Sequence, residues 1–166
     1  AHSTIYDAVR HRLVAFGGTV QEDVEFRTNE VMVLTLDAPL EWIRPINEAR
    51  PFPRMGHCAV IDVPRDRMVA FGGTTSTGTL FNDAWSLDLT EEQGWSLLAP
   101  SGTPPAARFD HAAIYDPVAQ RMIVFGGRNA SGATFSGVSQ LSLSGSPAWS
   151  TLTVTGAPPA SRSGHT

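Results

Sequence analysis

The sequence predicts an all-β chain made of three repeated units of four antiparallel strands, the blades of a β-propeller. The stretch 121–127 recurs at 67–73 and at 12–18, each time as a β-type run that ends in two glycines. The glycine pairs lie 55 and 54 residues apart. Self-similarity at a period of this size is typical of solenoids, propellers and repeat arrays.

Other residues keep the same period, which indicates that whole units are repeated. They are His2, His57, His111 and His165; Trp42, Trp95 and Trp149; and Arg54, Arg108 and Arg162. We therefore divide residues 1–166 into units 2–56, 57–110 and 111–164, with 165–166 beginning a further repeat. Each unit must bury its apolar face against a neighbouring unit.

The unit 57–110 shows the plan most clearly. Short apolar or alternating runs, typical of strands, cover 57–62, 67–71, 84–89 and 95–98. A Pro-containing turn, a Thr/Ser/Gly-rich loop at 74–81 and a Pro-rich linker at 100–105 separate them. The double glycine fits a backbone with positive φ or a close approach by a neighbouring strand. Four short strands without a helical stretch describe one propeller blade.

The other two units follow this plan with different loops. The first has a longer, acidic loop at 19–28, and the third has a shorter loop at 128–135. The third strand of the last unit, 138–143, is more polar than its counterparts.

The repeated order of elements resembles the kelch repeat of β-propellers: a strand that ends in two glycines, a strand that begins with Asn-Asp, and a strand that begins with Trp. The resemblance covers essentially the whole chain, three times over, and includes the Arg-x-x-His links before each unit. Ser136 departs from the pattern, because Asn29 and Asn82 stand at the equivalent positions. The resemblance implies a propeller that presents its loops to a protein or glycan.

Composition excludes some partners. The net charge is -4 and the basic residues fall singly, so we expect neither nucleic acid nor an anionic membrane surface as a partner. No apolar run is long enough to span a membrane. All twelve basic residues are Arg, which indicates a GC-rich genome because Lys codons are AT-rich. We favour a secreted or periplasmic protein of a GC-rich bacterium, with one Cys that leaves the redox compartment open.

The residues that repeat have a structural interpretation and a functional one. The histidines form either a metal ring or, as we favour, caps that hydrogen-bond neighbouring backbone. The recurring Asp-x-x-x-x-Arg spacing predicts a cross-strand ion pair worth roughly 0.2–1 kcal/mol. The repeated Phe and Trp residues are expected to pack between blades rather than to stack on sugars. Cys58 is expected to be a small packed residue and not a nucleophile.

Binding is expected on the face made by the second-to-third loops and the links between blades, because the loops there vary from repeat to repeat. Arginines in the links either brace them or hold a carboxylate. The candidate binding residues are Glu22, Glu25, Phe26, Arg27, Thr75, Ser76, Arg128, Asn129, Arg54, Arg108 and Arg162.

We favour a non-catalytic binding or scaffold module over an enzyme. Kelch-like relatives include copper-radical enzymes, which would need a Tyr cross-linked to Cys with further Tyr and His ligands. Tyr6 and Tyr115 are instead repeat-equivalent strand residues, and no nucleophile–base pairing stands out. No catalytic residue, metal or cofactor is assigned. The alternative is a carbohydrate-active or metal-dependent kelch-like enzyme, or a fragment of one, whose catalytic residues lie outside this chain.

Three blades do not close a ring, since typical propellers have about 4–8. We expect a homodimer that closes one six-bladed ring, with the third blade of each copy packed on the first blade of the other. The alternative is that these residues belong to a longer polypeptide with further blades.

Overall fold

The computed structural model describes residues 1–21, 25–45, 50–90 and 94–165. These residues form three sheets that follow the three predicted repeats, each with four antiparallel strands, as expected for propeller blades. Helical structure in the described residues is limited to one short 3-10 turn, Val63–Arg65. The all-β prediction and the four-stranded blade are therefore confirmed.

The first blade contains β1 (Ser3–Asp7), β2 (Arg12–Gln21), β3 (Glu25–Thr35) and β4 (Trp42–Ile43), hydrogen-bonded in that order. β2 and β3 remain paired beyond the glycines, down to Gln21 opposite Glu25. The segment that we expected to be an irregular loop is thus an extended β-hairpin. Its arms are rich in β-branched and aromatic residues, which favour a strand over a loop.

The second blade contains β5 (Cys58–Asp62), β6 (Arg67–Phe71), β7 (Ala84–Asp88) and β8 (Trp95–Leu98). Two of these strands have the bounds that the sequence predicts, and the other two differ by one residue at an end. The 3-10 turn between β5 and β6 places Pro at its start, where the missing N–H costs nothing.

The third blade contains β10 (Phe109–Asp116), β11 (Arg121–Arg128), β12 (Val138–Ser142) and β13 (Ala148–Thr151). A fifth strand, β9 (Ser101–Gly102), pairs in parallel with β13. The sequence predicts only a rigid linker there. Ser101 N donates to the Pro147 carbonyl at 3.0 Å, a long-range contact that no local pattern reveals.

Two apolar layers hold the three sheets together. Phe16 of the first blade packs against Trp95 of the second, with ring centroids 4.6 Å apart. Phe71 of the second blade packs against Trp149 of the third at 4.8 Å. Aromatic pairs at this separation add to the stability of the buried surface around them. The prediction that the repeated aromatic residues pack between blades is confirmed at both junctions.

The predicted Asp–Arg pairs are present in all three blades and fasten the hairpin between the first two strands. The Nε atom of Arg12 lies 2.9 Å from a carboxylate oxygen of Asp7. Arg67 contacts Asp62 at 2.8 Å, and Arg121 contacts Asp116 at 2.8 Å. Asp7 and Asp62 are fully buried, so these pairs are better shielded from water than ordinary surface ion pairs.

Candidate binding face

We call the surface formed by the second-to-third connections and the links between blades the upper face. Antiparallel pairing brings these segments to the same edge of every sheet. Backbone hydrogen bonds tie each link to the connection beneath it: Arg54 N donates to the Thr28 carbonyl and Arg108 N to the Phe81 carbonyl, both at 3.2 Å. The upper face is therefore one continuous backbone framework.

The double glycines allow the link and the next blade to approach this framework closely. Gly72 has φ +69°, and a Cβ there would lie 2.9 Å from both the Arg108 carbonyl oxygen and Cε1 of His111. Gly17 has the same environment, with the Arg54 carbonyl oxygen at 2.8 Å and Cε1 of His57 at 2.9 Å. Only glycine combines this backbone conformation with such contacts.

The histidines of the second and third blades lie at the buried blade junctions. His57 packs edge-on against Phe16, and His111 packs edge-on against Phe71. Their ring nitrogens form no well-aligned hydrogen bond with any residue that the structure describes, but the backbone of Phe16 interacts with His57 and that of Phe71 with His111, which opposes the lowering of their pKa values. Small glycines leave space for these imidazoles, which also pack against apolar neighbours. Burial lowers the pKa of His57 to about 3, with a further contribution from Arg54, and burial lowers that of His111 to about 3.

Arg54 reaches from its link into the second blade. It is 1% exposed, and its guanidinium forms two hydrogen bonds with the Asp83 carboxylate, at 2.6 and 3.0 Å. It also donates to the Gly72 carbonyl at 2.9 Å and lies 4.1 Å from the centroid of the Phe81 ring. A buried guanidinium with this set of partners braces the junction.

The Arg108 side chain extends into the third blade in the same way, but it contacts no carboxylate among the described residues of that blade. Its Nη1 donates to the Gly126 carbonyl at 2.8 Å, and its guanidinium lies 4.1 Å from the Phe135 centroid. Strand register places Gly137 where the second blade has Asp83. Among the described residues, no carboxylate lies within ion-pair distance of Arg108, which is only 6% exposed. Burial accordingly lowers its pKa.

The space at Gly137 is open, because a Cβ built there would meet no atom within 4 Å. Trp85, which donates to Asp83 at 2.7 Å in the second blade, is replaced by Ser139 in the third. The third blade thus lacks both the acid and the large ring beside it.

The remaining candidate residues lie on or near the upper face in different settings. Phe26 is exposed on the extended hairpin, while Glu22 lies outside the described residues and only the backbone of Glu25 is described. Thr75 closes its own turn, with its N–H donating to the Thr79 carbonyl, and Ser76 is exposed at the tip.

The third-blade candidates mostly contact their own neighbourhood. Arg128 pairs with Asp110 at 2.8 Å and lies over the Phe109 ring. Asn129 accepts hydrogen bonds within its own turn. Arg162 is exposed, and Arg27 is partly exposed at the base of the hairpin.

Sequence reasoning missed two features of the upper face. Phe52 is exposed and stacks parallel to Phe81, with centroids 6.4 Å apart. The second missed feature is that the third blade has Gly137 where the second blade has Asp83. Aligning the repeats would have shown this difference, because the same alignment shows that Ser136 replaces Asn82.

Two observations concern the groups that a catalytic interpretation would use. Cys58 is buried, and burial raises the pKa of its thiol, which agrees with a packed residue. In residues 1–21, 25–45, 50–90 and 94–165, no group of three His, Cys, Asp or Glu side chains is placed to hold a metal ion. The described part of the chain also has no helix long and apolar enough to cross a membrane.

The fold and this face define a class: blades of a β-propeller joined by arginine-bearing links. The family model for the KLHDC2/KLHL20/DRC7 Kelch-repeats domain matches residues 2–166. The chain therefore belongs to the kelch-repeat family, whose domains generally mediate protein–protein interaction.

Relatives and solved structures agree with this assignment. The chain is 36% identical over 123 residues to dynein regulatory complex subunit 7 of Chlamydomonas reinhardtii, covering 72% of this chain and 10% of that protein. It is 31% identical to Adagio-like protein 3 of Oryza sativa subsp. japonica, covering 88% of this chain and 23% of that protein. The structure of YjhT superposes with a TM-score of 0.76 at 17% identity, covering 98% of this chain and 53% of that one. The chain thus spans a minor part of these relatives and about half of the structural neighbour.

Proposed function

We propose that the chain is a protein-interaction module whose upper face binds an acidic segment of a partner protein at Arg108. The observation that carries the proposal is the contrast between Arg54, which pairs with the Asp83 carboxylate, and Arg108, which has no carboxylate partner in the described part of the chain. A buried guanidinium without a counter-charge is costly, and a carboxylate that offers bidentate hydrogen bonds offsets that cost.

Aromatic residues on the same face as Arg108 support this choice of partner. Phe52 is exposed and stacks on the partly buried Phe81, whose ring lies against the Arg54 guanidinium. Aromatic residues and arginines are typical of the residues that dominate binding energy at protein interfaces. Phe26, on the extended hairpin, adds a further exposed ring to the same face.

Peptide arrays made of matched pairs, with Glu in one member and Gln in the other, test the proposal. We expect the Glu members to bind and the Gln members to bind at least about tenfold more weakly, a difference of about 1.4 kcal/mol. A face that binds both members equally, or that binds only spots of a parallel glycan array, contradicts the acidic-protein proposal.

The variant Gly137→Asp is the sharpest control. It places a carboxylate at the register position that Asp83 occupies beside Arg54, so we expect it to abolish peptide binding while the melting temperature rises. Gly137→Ala fills the same position without a charge and is expected to leave binding within a factor of about three. Equal loss in both variants would mean that the space, not the charge, matters.

The second part of the proposal concerns the scaffold itself. We propose that the blades form a closed ring by self-association, as a homodimer with six blades. The apolar groove beside Trp42, which is 56% exposed, supports this, because exposed apolar surface favours association.

A further inference from the structure

The link arginines of the second and third blades are held in matching backbone frames. The Nε atom of Arg54 donates to the Phe52 carbonyl at 3.1 Å. The Nε atom of Arg108 donates to the Ala106 carbonyl at 3.0 Å. The Nη1 atom of each arginine also donates to the carbonyl of the first glycine in the double glycine of its blade, at 2.9 and 2.8 Å. Because the frames match, the residues around the two arginines can be compared position by position.

The two blades differ in the residue that can stack on the phenylalanine beside the arginine. Phe135 corresponds to Phe81, because each ring centroid lies 4.1 Å from the guanidinium of its link arginine. In the second blade, Phe52 stacks parallel to Phe81, with centroids 6.4 Å apart. In the third blade, Ala106 takes the place of Phe52 and is exposed, while Phe135 is partly buried. The link before the third blade therefore supplies no ring at this position.

The third blade also differs from both of the others at the position of the carboxylate. Strand register makes Glu30, Asp83 and Gly137 equivalent in the first, second and third blades. Glu30 pairs with Arg44 at 3.1 Å, and Asp83 pairs with Arg54 at 2.6 Å. An acid paired with an arginine is thus the common arrangement in this chain, and the third blade is the exception.

A further difference lies next to the carboxylate. In the second blade, the indole N–H of Trp85 donates to Asp83 at 2.7 Å. Ser139 takes the position of Trp85 in the third blade. The third blade keeps the arginine and the phenylalanine, but the residues at the three positions around them are small: Ala106, Gly137 and Ser139. Relative to the second blade, the third blade lacks a carboxylate and the aromatic surface beside it.

We propose that one segment of a partner protein supplies both missing groups, an acidic side chain that pairs with Arg108 and an aromatic side chain that stacks on Phe135. The second blade contains the template for this arrangement, with Asp83 as the acid and Phe52 as the ring. The proposal rests on the binding of an acidic segment proposed above and adds an aromatic residue close to the acid. Ala106 then determines specificity, because a larger side chain there would take the place of the partner's ring.

The geometry favours an aromatic residue over an aliphatic one and limits its distance from the acid. Aromatic rings attract each other beyond the burial of their area, and the Phe135 ring is held in place by the Arg108 guanidinium. The carboxylate and ring positions both adjoin this one stacked pair. Successive residues of an extended segment advance by about 3.3 Å, so an acid and a ring about one to three residues apart can reach both positions.

Synthetic decapeptides test the proposal by fluorescence polarisation. Each peptide has one Glu in a Gly/Ser background and a Phe, Leu or Ala about one to three residues before or after it. A second set has Gln in place of Glu. We expect the best Glu–Phe peptide to bind at least about tenfold more tightly than its Glu–Ala counterpart, with Glu–Leu between them. Equal affinities for Phe and Ala overturn the proposal, and equal affinities for Phe and Leu overturn the requirement for a ring.

The variant Ala106→Phe supplies the ring from the chain itself. We expect it to bind Glu–Phe and Glu–Ala peptides within a factor of about three of each other while it still prefers Glu to Gln. Ala160→Phe is the matched control, because Ala160 is exposed and accepts a hydrogen bond from Arg162 Nε at 3.1 Å in the next link. It should keep the wild-type preference for Phe. An Ala106→Phe chain that is folded by circular dichroism and keeps this preference overturns the assignment of the ring to Phe135.

The proposal and the function on which it rests fail in different ways. Wild-type chain that prefers Glu to Gln but does not distinguish Phe from Ala rejects the aromatic position and keeps the acid-binding function. A preference for Phe without a preference for Glu contradicts the acid-binding function and with it this proposal. A wild-type chain that binds none of the peptides rejects both.

Discussion

The junction between the first and second blades and the junction between the second and third have the same apolar contacts but different polar ones. Both pair Phe with Trp, seat a buried His against that Phe and require a positive-φ glycine. Among the described residues, only the first junction has a carboxylate, that of Asp83, paired with its link arginine. The comparison shows that apolar packing and glycine geometry specify the propeller, while polar residues are free to differ between junctions. Such differences are where a binding site can arise without loss of the fold.

The largest loss of unfolding free energy should come from substitutions at the glycines that both junctions share. Gly17→Ala and Gly72→Ala each put a Cβ within 2.9 Å of a carbonyl oxygen and an imidazole, in addition to positive-φ strain. We expect each to cost about 4 kcal/mol of unfolding free energy by urea titration. Gly78→Ala has positive φ but no atom within 4 Å, and should cost only about 1–2 kcal/mol. Equal losses in all three would mean that the close approach is unimportant.

The second-largest loss of stability should come from changes at the link arginines. Here the two junctions should differ, because only the first has a described carboxylate partner for its arginine. Asp83→Ala leaves Arg54 buried without its counter-charge, with an expected cost of about 2–3 kcal/mol after allowance for the partial exposure of Asp83. The double variant Asp83→Ala with Arg54→Met should recover part of this loss in thermal unfolding. A single variant as stable as the wild type would show that the pair does not brace the first junction.

The buried histidines should make both junctions sensitive to acid in the same way. The unfolded imidazole has a pKa of 6.5, whereas His57 and His111 have pKa values of about 3 in the fold. The unfolded chain therefore binds more protons, and the stability present above pH 6.5 declines as the pH falls towards 3. Between pH 7 and pH 5 each histidine should cost about 2 kcal/mol.

Urea titrations at these two pH values check this expectation. His111→Gln should remove about half of the pH dependence, and His57→Gln the other half. The pKa values of Asp66 and Asp116 are also lowered, but these carboxylates affect the stability of the fold only below about pH 4, where they become protonated. An unchanged pH dependence in either variant would contradict the assignment to the histidines.

The smallest effect should come from the lower-edge hairpins. Arg10→Ala removes a partly exposed contact with Asp66, and Arg65→Ala removes contacts with Asp62 and Gln120. Arg10 also contacts Asp7. We expect about 1 kcal/mol for each variant in denaturant titrations, because both arginines are partly exposed and the buried Asp7 and Asp62 keep Arg12 and Arg67 as partners. A loss above about 2 kcal/mol would show that the polar contacts, and not the apolar layers, hold the blades together.

Much of the architecture followed from the sequence, because strand patterns and glycine pairs report local backbone structure. The bounds of β6 and β8 are as predicted, as are the Asp–Arg pairs and the roles of the repeated Phe and Trp residues. The extended hairpin of the first blade was predicted as a loop, since no local signal shows that two arms stay paired beyond the glycines. The parallel strand β9 was missed for the same reason.

The sequence by itself determined the repeat, the number of blades and the aromatic contacts between them, because each depends on patterns that recur at a fixed period. Only the tertiary structure decided that the histidines are buried against the Phe residues of the neighbouring blades and that, among the described residues, Arg54 has a carboxylate partner while Arg108 has none. Those outcomes depend on side chains that cross from a link into the next blade. Arg54 and Asp83 are 29 residues apart, and the contrast with Arg108 arises because Gly137 carries no side chain at the equivalent point.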